Sequence, residues 1–71
     1  MKKISVSLSG HQTSISLEQE FVQILYDAAK SKRISVAALI AQIDSERELH
    51  TNLSSAVRVW ILKYVCKRNV N

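Results

Sequence analysis

A chain of 71 residues with a single glycine and no proline has no room for a low-complexity linker or repeats, so residues 1–71 read as one small domain. Ten Lys+Arg against six Asp+Glu give a net charge of +4, which suits an anionic partner. The lone Cys66 excludes an internal disulfide and points to a reducing compartment. No uncharged apolar stretch nears the roughly 18 residues of a membrane span, so the expected location is the cytoplasm.

The chain opens Met1-Lys2-Lys3-Ile4, the charged start of a signal peptide, but Ser5, Ser7, Ser9 and His11 break any apolar run after it. Lys3-Ile4-Ser5-Val6-Ser7-Leu8 alternates instead, with Ile4, Val6 and Leu8 on one face, as a half-buried strand does. Gly10 follows and can supply a turn with positive φ. Gln12-Thr13-Ser14-Ile15-Ser16-Leu17 alternates again and leads directly into a helical period. Either segment fits a ribbon. The second reads as the structural strand because it feeds the helix, and the first as an added strand or a partly mobile arm. An isolated strand leaves its hydrogen-bonding groups unpaired, and 46% hydrophobic residues are hard to cover in so short a chain. Both point to a homodimer.

A first helix is predicted from about Leu17 to about Ser31, with Ser16 as its cap and Gln19 reaching back in a capping box. Glu18 and Glu20 then sit in the first turn, where the helix dipole favours negative charge. The apolar spacing buries Phe21, Ile24, Leu25, Ala28 and Ala29, and leaves Gln19, Gln23, Asp27 and Lys30 outside. Lys30, Lys32 and Arg33 crowd its end. Ser35 reads as the cap of a second helix that buries Val36, Leu39, Ile40 and Ile43, while Ala37, Ala38 and Ala41 are small enough for another helix to approach closely. After a polar stretch through Asp44-Ser45-Glu46-Arg47-Glu48, Thr51 or Asn52 caps a third helix. It carries Leu53, Ala56, Val57, Trp60, Ile61, Tyr64 and Val65 as an apolar stripe, widened by Val59, Leu62 and Cys66. So apolar a helix needs covering, and a second subunit is the expected cover.

Strand, helix, short turn with a capping hydroxyl, and helix is the order of the ribbon-helix-helix fold. The chain resembles its bacterial "ribbon-helix-helix domain" family over nearly its full length. The matching stretches are Gly10 to Glu18 with Phe21, then Ile34-Ser35-Val36-Ala37-Ala38-Leu39-Ile40 with Ile43-Asp44, and finally Asn52-Leu53-Ser54-Ser55-Ala56-Val57-Arg58. One departure is Lys32-Arg33 where a glycine is expected before the second helix. The resemblance implies a mainly α fold with a short β-ribbon, assembled as an intertwined dimer with an additional C-terminal helix. Ile15, Leu17, Phe21, Leu39, Ile40, Ile43, Val57, Trp60, Ile61 and Tyr64 would form its core and dimer interface.

The same resemblance implies that the ribbon enters the major groove of double-stranded DNA, which a two-stranded ribbon fits. Gln12, Ser14 and Ser16 would then face base edges. Glutamine can pair with adenine in a bidentate way, whereas serines discriminate weakly and no arginine lies in the ribbon, so its base-reading power is modest. Lys2 and Lys3 can add backbone contacts. A phosphate clamp is implied at the start of the second helix, from the free N–H groups of Val36 and Ala37 and the Ser35 hydroxyl, with charge from Lys32 and Arg33.

His11, His50 and Cys66 are too few and too scattered for a zinc signature, and one glycine permits no phosphate loop. Neither metal, cofactor nor catalysis is expected. Two functions remain. One is a dimeric transcriptional regulator, most simply a repressor, favoured by Lys32, Arg33 and Ser35. The other is a dimeric interaction module, antitoxin-like or an adaptor, that binds a protein partner with its apolar third helix.

Overall fold

Alternation on both sides of Gly10 closes the two amino-terminal segments onto each other. In the computed structural model, which describes residues 1–69, strands β1 (Lys2–Leu8) and β2 (His11–Leu17) form an antiparallel hairpin. Residues 70–71 of the expected single domain lie outside the described residues. Leu8 pairs with His11, so only Ser9 and Gly10 make the turn, with φ of 50° and 82°. Positive φ at both central residues is what a type I′ turn requires, and its twist matches that of the flanking strands.

The strand partner therefore comes from the same chain. Of the two alternatives for the first segment, the added strand is the one observed and the mobile arm is not, and the argument for dimerisation from an unpaired strand loses its premise. Ile4 opposes Ile15 and Val6 opposes Thr13 on the inner face, where Ile4, Val6, Ile15 and Leu17 are buried. β1 packs on the second helix and β2 on the third, with the first helix against both.

Helix α1 (Gln19–Lys32) starts later than its sequence suggests. Leu17 is fully buried and keeps the chain extended to that point, which turns Ser16 outward on the strand and away from the helix end. Glu18 takes the cap position instead, with φ −60°, ψ 149° and no side-chain capping bond. Its carbonyl accepts from the N–H groups of Phe21 at 3.0 Å and Val22 at 3.1 Å. The buried face is Val22, Leu25, Ala28 and Ala29. Phe21 and Ile24, expected in the core, are only partly buried against it.

At the far end Arg33 adopts the left-handed conformation, φ 60° and ψ 39°. Its N–H donates to the Lys30 carbonyl at 3.1 Å, and that of Ile34 donates to Ala29 at 3.0 Å. These are the paired bonds of a Schellman motif, with the side chain of Ile34 packed on the core. Arginine thus occupies the backbone position that a glycine fills without strain. A left-handed L-residue costs roughly 1–2 kcal/mol, partly offset by glycine's greater freedom when unfolded. Arg33→Gly is accordingly expected to stabilise the fold by up to about 1 kcal/mol, read as a higher urea midpoint at unchanged slope.

Helix α2 (Val36–Ser45) begins as its sequence indicates, the Ser35 hydroxyl oxygen accepting from the Ala38 N–H at 3.0 Å. Leu39, Ile40 and Ile43 are buried. Of the three small residues expected to admit a neighbouring helix, Ala38 is half-buried while Ala37 and Ala41 are exposed. In the connection to α3, Arg47 bridges Asp44 at 3.0 Å and donates to the Thr51 carbonyl at 2.6 Å. Asn52 then caps α3 (Leu53–Asn69), its side-chain oxygen accepting from the Ser55 N–H at 2.8 Å. Of the α3 stripe only Val57 and Ile61 are fully covered, while Trp60 and Tyr64 are half-buried. Val59 and Leu62 remain 47% and 60% exposed, and Cys66 is exposed too. No helix of the structure is long and apolar enough to cross a membrane.

Candidate nucleic-acid interface

The period-2 rule that buries one face of the hairpin displays the other. Gln12, Ser14 and Ser16 all lie on that outer face and are exposed. The register sets Ser7 beside Gln12, Ser5 beside Ser14, and Lys3 beside Ser16. Ser5 and Ser7 are exposed members of this surface that the sequence pattern alone did not assign to it. Their signal was available in the two-residue spacing around Ser9-Gly10, which is a hairpin length.

The six side chains offer hydroxyl, amide and ammonium groups and no carboxylate, a set able both to donate to and to accept from base edges. Strands rise about 3.3 Å per residue, so successive outward residues stand about 6.6 Å apart, near the rise of two base pairs. Ser16 is also released from the capping role expected of it, since α1 has no side-chain cap.

Beside the buried inner face, one surface ion pair joins α3 to the end of the ribbon. Arg58 of α3 reaches Glu18 at the β2–α1 junction with Nε to Oε1 at 3.1 Å. A second nitrogen of the guanidinium donates to the Ser16 carbonyl at 3.5 Å, and the group lies 6.0 Å from the Phe21 ring centroid. The Glu18 carboxyl is held below the usual carboxylate range, first by its own backbone N–H and then by Arg58. A depressed folded-state pKa gives stability that is present above the unfolded pKa and is lost as pH falls through the folded one. Acid titration of the melting temperature should show this loss at and below the ordinary carboxylate range. Arg58→Ala should shrink it without abolishing it, because the backbone bond remains.

The clamp residues gather at the α1–α2 turn. Lys32, Arg33, Ser35 and Ala37 are exposed and Val36 is half-buried. Ala38 spends its N–H on the Ser35 oxygen, which leaves the Ser35 hydroxyl proton and the N–H groups of Val36 and Ala37 as the donors at the helix start. The first turn of α2 holds no acidic residue. Its positive dipole end is thus reinforced by two formal cations and opposed by no local anion. Among the described residues, no group of three or more His, Cys, Asp or Glu side chains gathers as a metal site would need.

A family model described as "Ribbon-helix-helix domain" matches residues 1–65. Comparison with curated proteins and with solved structures returns no match.

Proposed function

Since the chain belongs to the ribbon-helix-helix domain family, whose members generally bind DNA as dimers, we propose that it is a dimeric, DNA-binding transcriptional regulator, most simply a repressor in a bacterial cytoplasm. The observation that carries this reading is the outer face of the hairpin, where Lys3, Ser5, Ser7, Gln12, Ser14 and Ser16 are exposed together without a carboxylate. This face lies in the major groove and reads base edges, while the α1–α2 turn holds a backbone phosphate through Ser35, Val36 and Ala37 with Lys32 and Arg33 beside it. The protein acts by binding and carries out no catalysis.

The test is a titration of duplex DNA, first of random sequence and then of the region upstream of its own gene, at several salt concentrations. Affinity should fall linearly with log salt. Arg33→Ala should weaken binding alike on every sequence and make the slope shallower by about one unit for each phosphate that is no longer neutralised. No affinity even at low salt, where the +4 charge is least screened, would overturn the reading.

Dimerisation rests on the apolar residues left uncovered on α3, Val59 and Leu62 with Cys66 one turn further. A melting temperature that rises with protein concentration supports it, and one independent of dilution contradicts it. The same exposed residues favour the second reading, a module that docks another protein on α3. That reading gains if duplex DNA is not bound.

A further inference from the structure

The carboxyl end of α1 and the middle of α3 enclose a second basic surface. A shallow cleft of about 290 Å³ is lined by Lys32, Trp60, Lys63, Tyr64 and Lys67. The two rings form its flat apolar part, stacked with centroids 5.1 Å apart and planes 12° from parallel. The guanidinium of Arg68 lies 5.5 Å from the Tyr64 centroid and brings a fourth cation to the same side of α3.

No carboxylate lines the cleft, and the salt bridges found among the described residues, Asp44–Arg47 and Glu18–Arg58, involve none of its lysines. Helix dipoles account for Lys32 and Lys67, which stand in the last turns of α1 and α3. Lys63, in the interior of α3, lines this cleft and also the adjoining one, which holds Glu46, Glu48 and Arg47. The apolar rings beside these exposed ammonium groups focus their field outward.

Lys32 belongs both to this cleft and to the α1–α2 turn, so the two basic surfaces are continuous. We propose that the cleft is a second backbone-phosphate contact for duplex DNA, made by Lys32, Lys63 and Lys67, which extends the protein's hold on the duplex from the α1–α2 turn along α3. It rests on the DNA reading given above. The contact is electrostatic and carries no base preference.

Trp60 is the only tryptophan and lines the cleft, so its fluorescence reports occupancy directly. Random-sequence duplex should shield Trp60 from iodide quenching at constant ionic strength, because the phosphate backbone excludes the competing anion. Lys63→Ala/Lys67→Ala should make the log–log salt slope shallower by about two units per bound chain, so that the fall in affinity between about 50 and about 200 mM salt is about tenfold smaller. Lys63→Arg/Lys67→Arg should restore the slope. Both lysines are exposed, so the double variants should melt with the parent.

If the parent binds duplex but the alanine variant keeps its salt slope and Trp60 stays open to iodide, the inference fails while the DNA reading stands. If inorganic phosphate shields Trp60 as well as duplex does and the slope is unchanged, the cleft is a small-anion site and the inference is equally overturned. If the parent binds no duplex at low salt, the DNA reading itself falls, and this contact with it.

Discussion

Leu17→Ala is expected to destabilise the protein by about 2–5 kcal/mol, the range for truncating a fully buried leucine, while its neighbour Ser16→Ala should change stability by less than about 0.5 kcal/mol. Leu17 has no exposed surface. It ends β2 opposite Lys2 and precedes the first helix, so a cavity there loosens both the ribbon and the helix entry. Small domains have about 5–15 kcal/mol in total, and about 1 kcal/mol moves the melting point of a chain this size by about 4–8 °C. The Leu17 variant should therefore melt lower by on the order of 10 °C or more. Urea and thermal unfolding followed by circular dichroism measure both variants. The pair also decides where α1 begins, because a capping Ser16 would cost about 1 kcal/mol on removal. A Ser16→Ala loss of that size would contradict the strand assignment at that residue.

Gln12→Ala should leave the unfolding curve in place and act on recognition alone. Its side chain is exposed on the outer face beside Ser7 and supports no buried group. As a bidentate base contact it would contribute about 1–3 kcal/mol of discrimination, roughly 5- to 150-fold in affinity on the preferred sequence. Binding to random duplex should hardly change, and preference should relax at one base pair per bound chain. Selection of preferred sequences with parent and variant, followed by titration of each, makes the comparison. An equal loss on every sequence would move Gln12 from base reading to backbone contact.

The hairpin faces, the Ser35 cap and the buried side of α2 were all legible in the chain because each depends on neighbours two to four residues away. Alternation in Lys3–Leu8 and Gln12–Leu17 settled which side chains share a face, but it does not choose a strand's partner. That choice lay in the turn, where Ser9 accepts a left-handed backbone that serine seldom takes. The phase of α1 differs from its expected one for a related reason. With apolar residues at Phe21, Val22, Ile24 and Leu25, a 3.6 period fits more than one stripe. The strand's extension to Leu17 selects the one through Val22. Arg33 ends that helix in a conformation usually left to glycine, so the expected signal was missing although the turn was not. The cleft on α3 was beyond reach, since bringing Lys32 to Lys63 and Lys67 requires knowing how α1 and α3 pack.

A ribbon closed inside one chain has no two-fold axis. A strand pair contributed by two identical subunits shows the same residues twice and so matches a sequence that reads alike in both directions. Here Lys3, Ser5 and Ser7 face Ser16, Ser14 and Gln12, and the two edges of the ribbon differ chemically at every step but one. Under the proposed DNA reading, each chain presents a directional surface with its own polarity along the groove. On that reading, a palindrome in a bound sequence would come from the arrangement of two whole chains, as separate half-sites with a spacing set by their docking.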